Sequence, residues 1–191
     1  KTKTKIWGTF HGLGYPVSKG INKIIFKVVE YYCFLRLEKI IVLNNLDLIS
    51  VPIRYKGKLI KTRCVGLGCD LKKFNRDKFS ISEKTRLKDS LNISTQFVLA
   101  FTGRFVHFKG FDILARVFIE LSEKNKNSFK LILIGGRDIV HATGLSIKEE
   151  KVFFSHPDVL EEGFTKDVDQ YLSSVDLFVF PSKKEGVPIS I

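Results

Sequence analysis

The segment FVLAFTGRFVHFKGFDILARVFIELSEKNKNSFKLILIGG, residues 97–136, decides the fold. It opens with a strand predicted over 97–102, apolar without a break from Phe97 to Phe101, and crosses a turn holding Gly103 and Gly110. Apolar residues then recur at three- and four-residue intervals over 111–124, and a second strand-like stretch follows over 129–134, apolar but for Lys130. A continuous apolar strand is covered on both faces, and two such strands joined through a helix are parallel neighbours. The segment therefore predicts a β-α-β unit. Outward from it, a helix is predicted near 83–91, another over 166–173 and a strand over 176–180. Strands that alternate with helices predict a parallel, Rossmann-like sheet with helices on both sides.

Before residue 70 the pattern is similar but shorter. It predicts a strand over 5–10, the turn-rich stretch His11-Gly12-Leu13-Gly14-Tyr15-Pro16, a helix over 19–36 and a strand over 39–43. A brief apolar strand from Thr62 stops at Gly66 and Gly68, which marks a boundary between predicted domains at 1–68 and 69–191. The helix over 19–36 carries Ile21, Ile24, Ile25, Val28, Val29 and Tyr32 on one stripe, and Lys19, Lys23 and Lys27 four apart on another. One buried and one basic face are expected from it. Such a helix suits a membrane surface or the ordinary cover of an α/β sheet.

Composition narrows the class. The 191 residues are 44% hydrophobic and 27% charged, which makes a disordered chain or a disulfide scaffold a poor reading. The absence of Met and the start at Lys1 read as an excerpt of a longer chain. Cys33, Cys64 and Cys69 form no Cys-x-x-Cys pair, so small buried thiols in a reducing compartment are expected, with no disulfide and no zinc site. No apolar run reaches the length of a spanning helix. The net charge of +12 is uneven, with 15 basic and 4 acidic residues over 1–75 against 17 and 16 in the remainder. A basic first part faces lipid head groups, a lipid-linked phosphate or nucleic acid, or is a Lys-rich bias that only solvates a surface. Nucleic acid is not expected as a partner, because the abundant Phe residues fall mostly within buried-looking runs.

Ligands of a doubly wound sheet bind beyond the carboxyl ends of its strands. Three segments there are unusual: Gly103-Arg104-Phe105-Val106-His107-Phe108-Lys109-Gly110, Gly135-Gly136-Arg137-Asp138, and Pro181-Ser182-Lys183-Lys184-Glu185-Gly186-Val187-Pro188. Arg104 at a strand end and Lys109 at a helix start place two cations and free backbone N–H groups around a phosphate, or are solvated loop charges. The P-loop pattern is absent. Neither Gly12-x-Gly14 nor Gly66-x-Gly68 has the third glycine of a dinucleotide fingerprint.

Taken in order, Gly103-Arg104 with Lys109-Gly110, the strand leading to Gly135, Gly163-Phe164, Asp176 to Ser182 and Glu185-Gly186-Val187-Pro188 resemble the donor-binding half of a glycosyltransferase of family 4, the group 1 type. The first part is similar too: a His-Gly turn follows a strand, and Gly68-Cys69-Asp70 with Phe74 stand where that family has Gly-Val-Asp followed by Phe. The resemblance implies a GT-B-like α/β fold of two Rossmann-like domains, the first incomplete and the second nearly complete. It implies a retaining transferase that uses a nucleotide diphosphate sugar, UDP-linked, without a metal or other cofactor. By that likeness Arg104 and Lys109 bind the diphosphate, and Glu185 accepts hydrogen bonds from the sugar, with the N–H groups of Gly186, Val187 and Ile189 nearby. His11 touches the sugar near the reacting carbon, Gly12 and Gly103 approach the donor, and Phe164 lies by the base. The family's second glutamate would fall beyond Ile191, and its first strand and glycine-rich loop would precede Lys1, so the resemblance implies a chain truncated at both ends and inactive alone.

The acceptor implied is a polysaccharide or a lipid-linked oligosaccharide, with an anionic membrane surface as a further partner and a cytoplasmic place at the inner face of the membrane. The alternative is a non-catalytic nucleotide- or polyanion-binding module, in which Arg104 and Lys109 hold phosphate and no sugar moves.

Overall fold

The computed structural model describes residues 4–60, 68–94 and 96–183, which fall into two units that meet in sequence between Cys69 and Asp70. The first contains β1 (Trp7–Phe10), α1 (Gly14–Val17), α2 (Gly20–Arg36), β2 (Lys39–Val42), α3 (Asn45–Ser50) and β3 (Leu59–Ile60). Its three strands lie parallel in the order β1-β2-β3, with Trp7 opposite Lys39 and Ile40 opposite Leu59. Ile40 and Val42 project into a core of Leu13, Tyr15, Phe34, Val51 and Tyr55.

Buried carboxylates shape this unit. The Glu30 carboxylate accepts the backbone N–H groups of Gly14 at 2.6 Å and Tyr15 at 3.3 Å, which satisfies the start of α1. Asp47 accepts the N–H of Leu13 at 3.0 Å. At the C-terminal end of α2, the Lys58 ammonium donates to the carbonyls of Phe34, Leu35 and Leu37 at 2.7–3.0 Å, a cation placed where the helix dipole is negative. The Tyr15 hydroxyl donates to the Ser50 carbonyl, and burial pushes its pKa up to about 12.

The apolar stripe of α2 is not its buried face. Ile21, Ile24, Ile25, Val28, Val29 and Tyr32 are all exposed, by 54–72%, and the helix packs through Glu30 and Phe34. At about 100° per residue Glu30 stands half a turn from Ile21. That side is fixed by what it must supply: a carboxylate for α1, and Phe34 for the aromatic cluster with Phe10, Tyr31 and Tyr55. The expectation of buried thiols also fails where it can be read, since Cys33 is half-buried and Cys69 is exposed in an irregular stretch. Cys64 and the strand read from Thr62 lie outside the described residues.

The second unit runs α4 (Ile81–Ser90), β4 (Phe97–Phe105), α5 (Phe111–Lys124), β5 (Phe129–Arg137), α6 (Ile147–Phe154), β6 (Val159–Gly163), α7 (Val168–Ser174) and β7 (Leu177–Phe178). All its strands are parallel, in the order β6-β5-β4-β7. Period-two alternation sorts the side chains of the central strands. Leu99, Phe101, Leu131 and Leu133 meet Phe111, Leu114 and Phe118 of α5 and Phe153 of α6. Val98, Ala100, Ile132 and Ile134 meet Val168, Tyr171 and Leu172 of α7, with Leu91 and Ile93 after α4. The sheet is thus covered on both faces, and the mixed α/β architecture with parallel sheets read from the sequence is observed.

Two details differ from the sequence reading. Residues 103–105 and 135–137 are not loop but the last rungs of β4 and β5, where Gly103 pairs with Gly135 and Arg104 with Gly136. The glycines make this extension possible: both have positive φ, of 136° and 129°, and a side chain at Gly135 would overlap the Gly103 carbonyl. The helix α6 and strand β6 were not read from the sequence at all.

Candidate functional site

The chain leaves β5 by α6 to β6 on one side, then crosses by α7 to β7 on the far side of β4. The carboxyl ends of β4 and β7 therefore flank the point where strand order reverses, the usual crevice for ligands in such a sheet. At this edge the first two unusual segments of the sequence come together with Pro181, Ser182 and Lys183 of the third.

Between β4 and α5 the chain makes a short turn, His107–Lys109, and enters α5 through Gly110 at φ 73°. A side chain at Gly110 would overlap the Pro181 carbonyl, so glycine is required both by its backbone angle and by the close approach of the strand β7 segment. The contact is sealed by the Phe108 carbonyl, which accepts from the Lys183 N–H at 3.0 Å and the Ser182 hydroxyl at 3.3 Å. The Lys109 ammonium lies 5.7 Å from the Phe180 ring centroid. Behind the turn, the His107 Nδ1 lies 3.1 Å from the Asp112 carboxylate, and the His107 N–H donates to the Ala142 carbonyl at 3.1 Å.

Arg104 projects from the end of β4, half-exposed, while its strand neighbour Phe105 is buried and stacks on Phe111 at 4.7 Å. The Arg104 Nη1 donates to Asp138 Oδ2 at 2.5 Å, and the guanidinium lies over the Phe108 ring, 5.4 Å from its centroid. Asp138 follows β5, and its Oδ1 accepts the N–H groups of Val140 at 2.8 Å and His141 at 3.1 Å. The Val140 N–H, then the Arg104 guanidinium, hold this carboxyl well below the usual range. Phe164, just after β6, is 84% exposed, and its ring edge would lie 3.0 Å from a Cβ at position 136. Gly136 thus leaves room for an open aromatic ring beside the end of β5.

Of the residues singled out in the sequence, Gly103, Arg104, Lys109 and Phe164 share this edge. His11 and Gly12 belong to the first unit, where they follow β1 and are exposed, with Gly12 at φ 139°. Glu185, Gly186, Val187 and Ile189 lie outside the described residues. Sequence reasoning assigned no part to Asp138, Phe108 or Phe180; the signal within reach was an Asp two and three residues ahead of N–H groups at a strand end, the pattern of an Asx turn. Among the described residues no group of three His, Cys, Asp or Glu side chains could hold a metal ion, and no helix is long and apolar enough to cross a membrane. A groove between α5 and α6, floored by Ala115, Ile119, Leu145, Val152 and Phe153, lies away from the strand ends and carries none of these groups.

Comparison with known proteins gives concordant findings. Residues 96–191 match the family model for glycosyl transferases group 1. Over 175 residues the chain is 26% identical to N,N'-diacetylbacillosaminyl-diphospho-undecaprenol alpha-1,3-N-acetylgalactosaminyltransferase of Campylobacter jejuni, covering 92% of this chain and 42% of that protein. It is also 26% identical over 182 residues to the capsular polysaccharide biosynthesis glycosyltransferase CapM of Staphylococcus aureus, covering 88% of this chain and 46% of that one. The chain thus spans less than half the length of these curated relatives. In structure it is similar to HepE of Anabaena, solved with UDP and glucose, with a TM-score of 0.71 and 17% identity over 95% of this chain and 47% of that one.

Proposed function

The chain belongs to the group 1 glycosyl transferases, and from that premise we propose that it carries the nucleotide-sugar site of a retaining enzyme that moves a sugar from a UDP-linked donor to a polysaccharide or lipid-linked oligosaccharide. The observation that carries this reading is the meeting of Arg104 and the Lys109 turn at the switch point of the second sheet, with the open ring of Phe164 on the same carboxyl edge beside the end of β5.

The chemistry follows from charge. When the bond between the sugar carbon and the diphosphate breaks, the electron pair stays on the phosphate oxygen, and negative charge grows there. Cations held in place beforehand stabilise that charge more than the ground state and so accelerate the step. Arg104 and Lys109 are proposed for this part, with no metal assigned one. Phe164 offers an apolar face to the base. Glu185 with the N–H groups of Gly186, Val187 and Ile189 is proposed to hold the sugar hydroxyls. Contact of His11 and Gly12 with the donor belongs to the same proposal, as does the close approach of Gly103.

The acceptor is proposed from the named relatives, one of which acts on a diphospho-undecaprenol sugar and the other in capsular polysaccharide synthesis. The excess of 15 basic over 4 acidic residues across 1–75, with the exposed apolar stripe of α2, supports a place on an anionic membrane surface at its cytoplasmic face.

The test is calorimetric titration of UDP into the protein with Arg104→Ala and Lys109→Ala combined. Charge-assisted bonds of about 1.5–3 kcal/mol each predict at least a tenfold loss of affinity. Unchanged affinity would remove the diphosphate role, and UDP binding without transfer from a UDP-sugar would leave a nucleotide-binding module.

A further inference from the structure

We propose that Asp138 is a positioning residue for the diphosphate site: it fixes the Arg104 guanidinium by one corner and leaves the phosphate-binding fork open. The inference rests on the reading of Arg104 as a diphosphate ligand and adds a residue to which neither the family match nor the sequence gives a part.

A guanidinium carries five N–H bonds in a plane, and those on Nε and Nη2 run parallel along one edge, spaced to meet two oxygens of one phosphate. Nη1 lies on the other side of the group. The structure bonds Nη1 to Asp138 Oδ2 at 2.5 Å, and among the described residues Nε and Nη2 make no hydrogen bond. The ion pair therefore leaves the Nε–Nη2 edge to a phosphate that binds through that pair of N–H groups. The ring of Phe108 lies against the guanidinium at 5.4 Å and is itself held edge-on by His141 at 5.3 Å, so the group is bounded by an aromatic side chain as well as by a carboxylate.

Asp138 is suited to this because it is itself immobilised. Its side chain is only 11% exposed, against 49% for Arg104. Its Oδ1 accepts two backbone N–H groups and lies 3.2 Å from the His141 Nδ1, which leaves Oδ2 for the arginine. A free arginine has many rotamers to lose when it binds phosphate, and ordering it before the donor arrives removes that cost from binding. A carboxylate at this distance also offsets part of the positive charge that draws in the diphosphate. Orientation outweighs that loss here, because the pair is half open to water, where charge is screened, while the fork geometry is not.

Asn at 138 separates the two functions of the side chain. Its Oδ1 still accepts the N–H groups of Val140 and His141, and its neutral amide replaces the oxygen that faced Arg104. UDP affinity is measured by calorimetry for the intact protein, Asp138→Asn, Arg104→Ala and the double variant, with thermal melting of each. The expected result is about a fivefold loss in Asp138→Asn and no further loss when that change is added to Arg104→Ala. An equal loss in both backgrounds, or a loss in Asp138→Asn that comes with a fraction of unfolded protein large enough to account for it, would make Asp138 a merely structural residue and overturn the proposal. Unchanged or tighter binding in Asp138→Asn, with Arg104→Ala still weak, would overturn it alone. If Arg104→Ala binds UDP like the intact protein, the diphosphate reading itself fails.

Discussion

In the second unit the central strands β4 and β5 are covered on both faces, and the stripe of α5 formed by Phe111, Leu114, Ala115 and Phe118 is buried against them. In the first unit the stripe of α2 formed by Ile21, Ile24, Ile25, Val28 and Tyr32 is equally periodic but open, and the helix is held by Glu30 and Phe34 on its other side. The two helices carry the same kind of pattern and meet opposite fates. A periodic apolar stripe says which face gains by leaving water; it does not say that something lies there to receive it.

The comparison breaks first at its largest effect. Phe111→Ala should cost about 3–5 kcal/mol in denaturant unfolding, because the ring is fully buried against Phe101, Phe105 and Phe153. Val28→Ser on the open stripe should stay within about 0.5 kcal/mol. A cost for Val28→Ser near that of the core would mean that the stripe is covered in the folded protein. If the stripe and the basic residues instead meet anionic lipid, the same variant should bind anionic vesicles less tightly, and added salt should weaken the intact protein further. Vesicle binding that ignores both changes would leave the membrane reading without support.

A smaller effect concerns the α5–α6 side of the second unit. Glu149 caps α6 through Ser146 and pairs with Arg116 at 2.7 Å, and the Arg116 hydrogen bond leads the causes that hold its pKa down to about 2. A carboxyl whose folded pKa lies below its unfolded value adds stability above the ordinary range near 4.5, and that stability is lost as pH falls toward about 2. Glu149→Gln should therefore flatten the fall of the melting temperature between these values. A variant with the same acid profile as the intact protein would show that the pair is dispensable.

How far the sequence reaches differs between the units for physical reasons. Strands β4 and β5 and helix α5 were legible because continuous apolar runs and a clear three-four period have few other readings. Their last rungs were not, because Gly103 and Gly135 read as turn signals and here serve as close-packed strand partners. Helix α6 was missed although Ser146 and Glu149 form a capping box, and β6 was obscured by Glu161 and Glu162, of which the latter accepts the Tyr171 hydroxyl at 2.7 Å. At the site, the glycines and cations stood out by residue type and place. Asp138 did not, since its partner Arg104 is 34 residues away and only the pairing of β4 with β5 brings them together.

Hydrogen–deuterium exchange with and without UDP tests the central claim most directly, that the nucleotide binds at the carboxyl edge of the second sheet. The account predicts slowed exchange over residues 104–110, 135–141 and 181–183, where the segments around Arg104, Asp138 and Ser182 converge. Slowed exchange confined to the α5–α6 groove or to the first unit, with UDP bound, would contradict it.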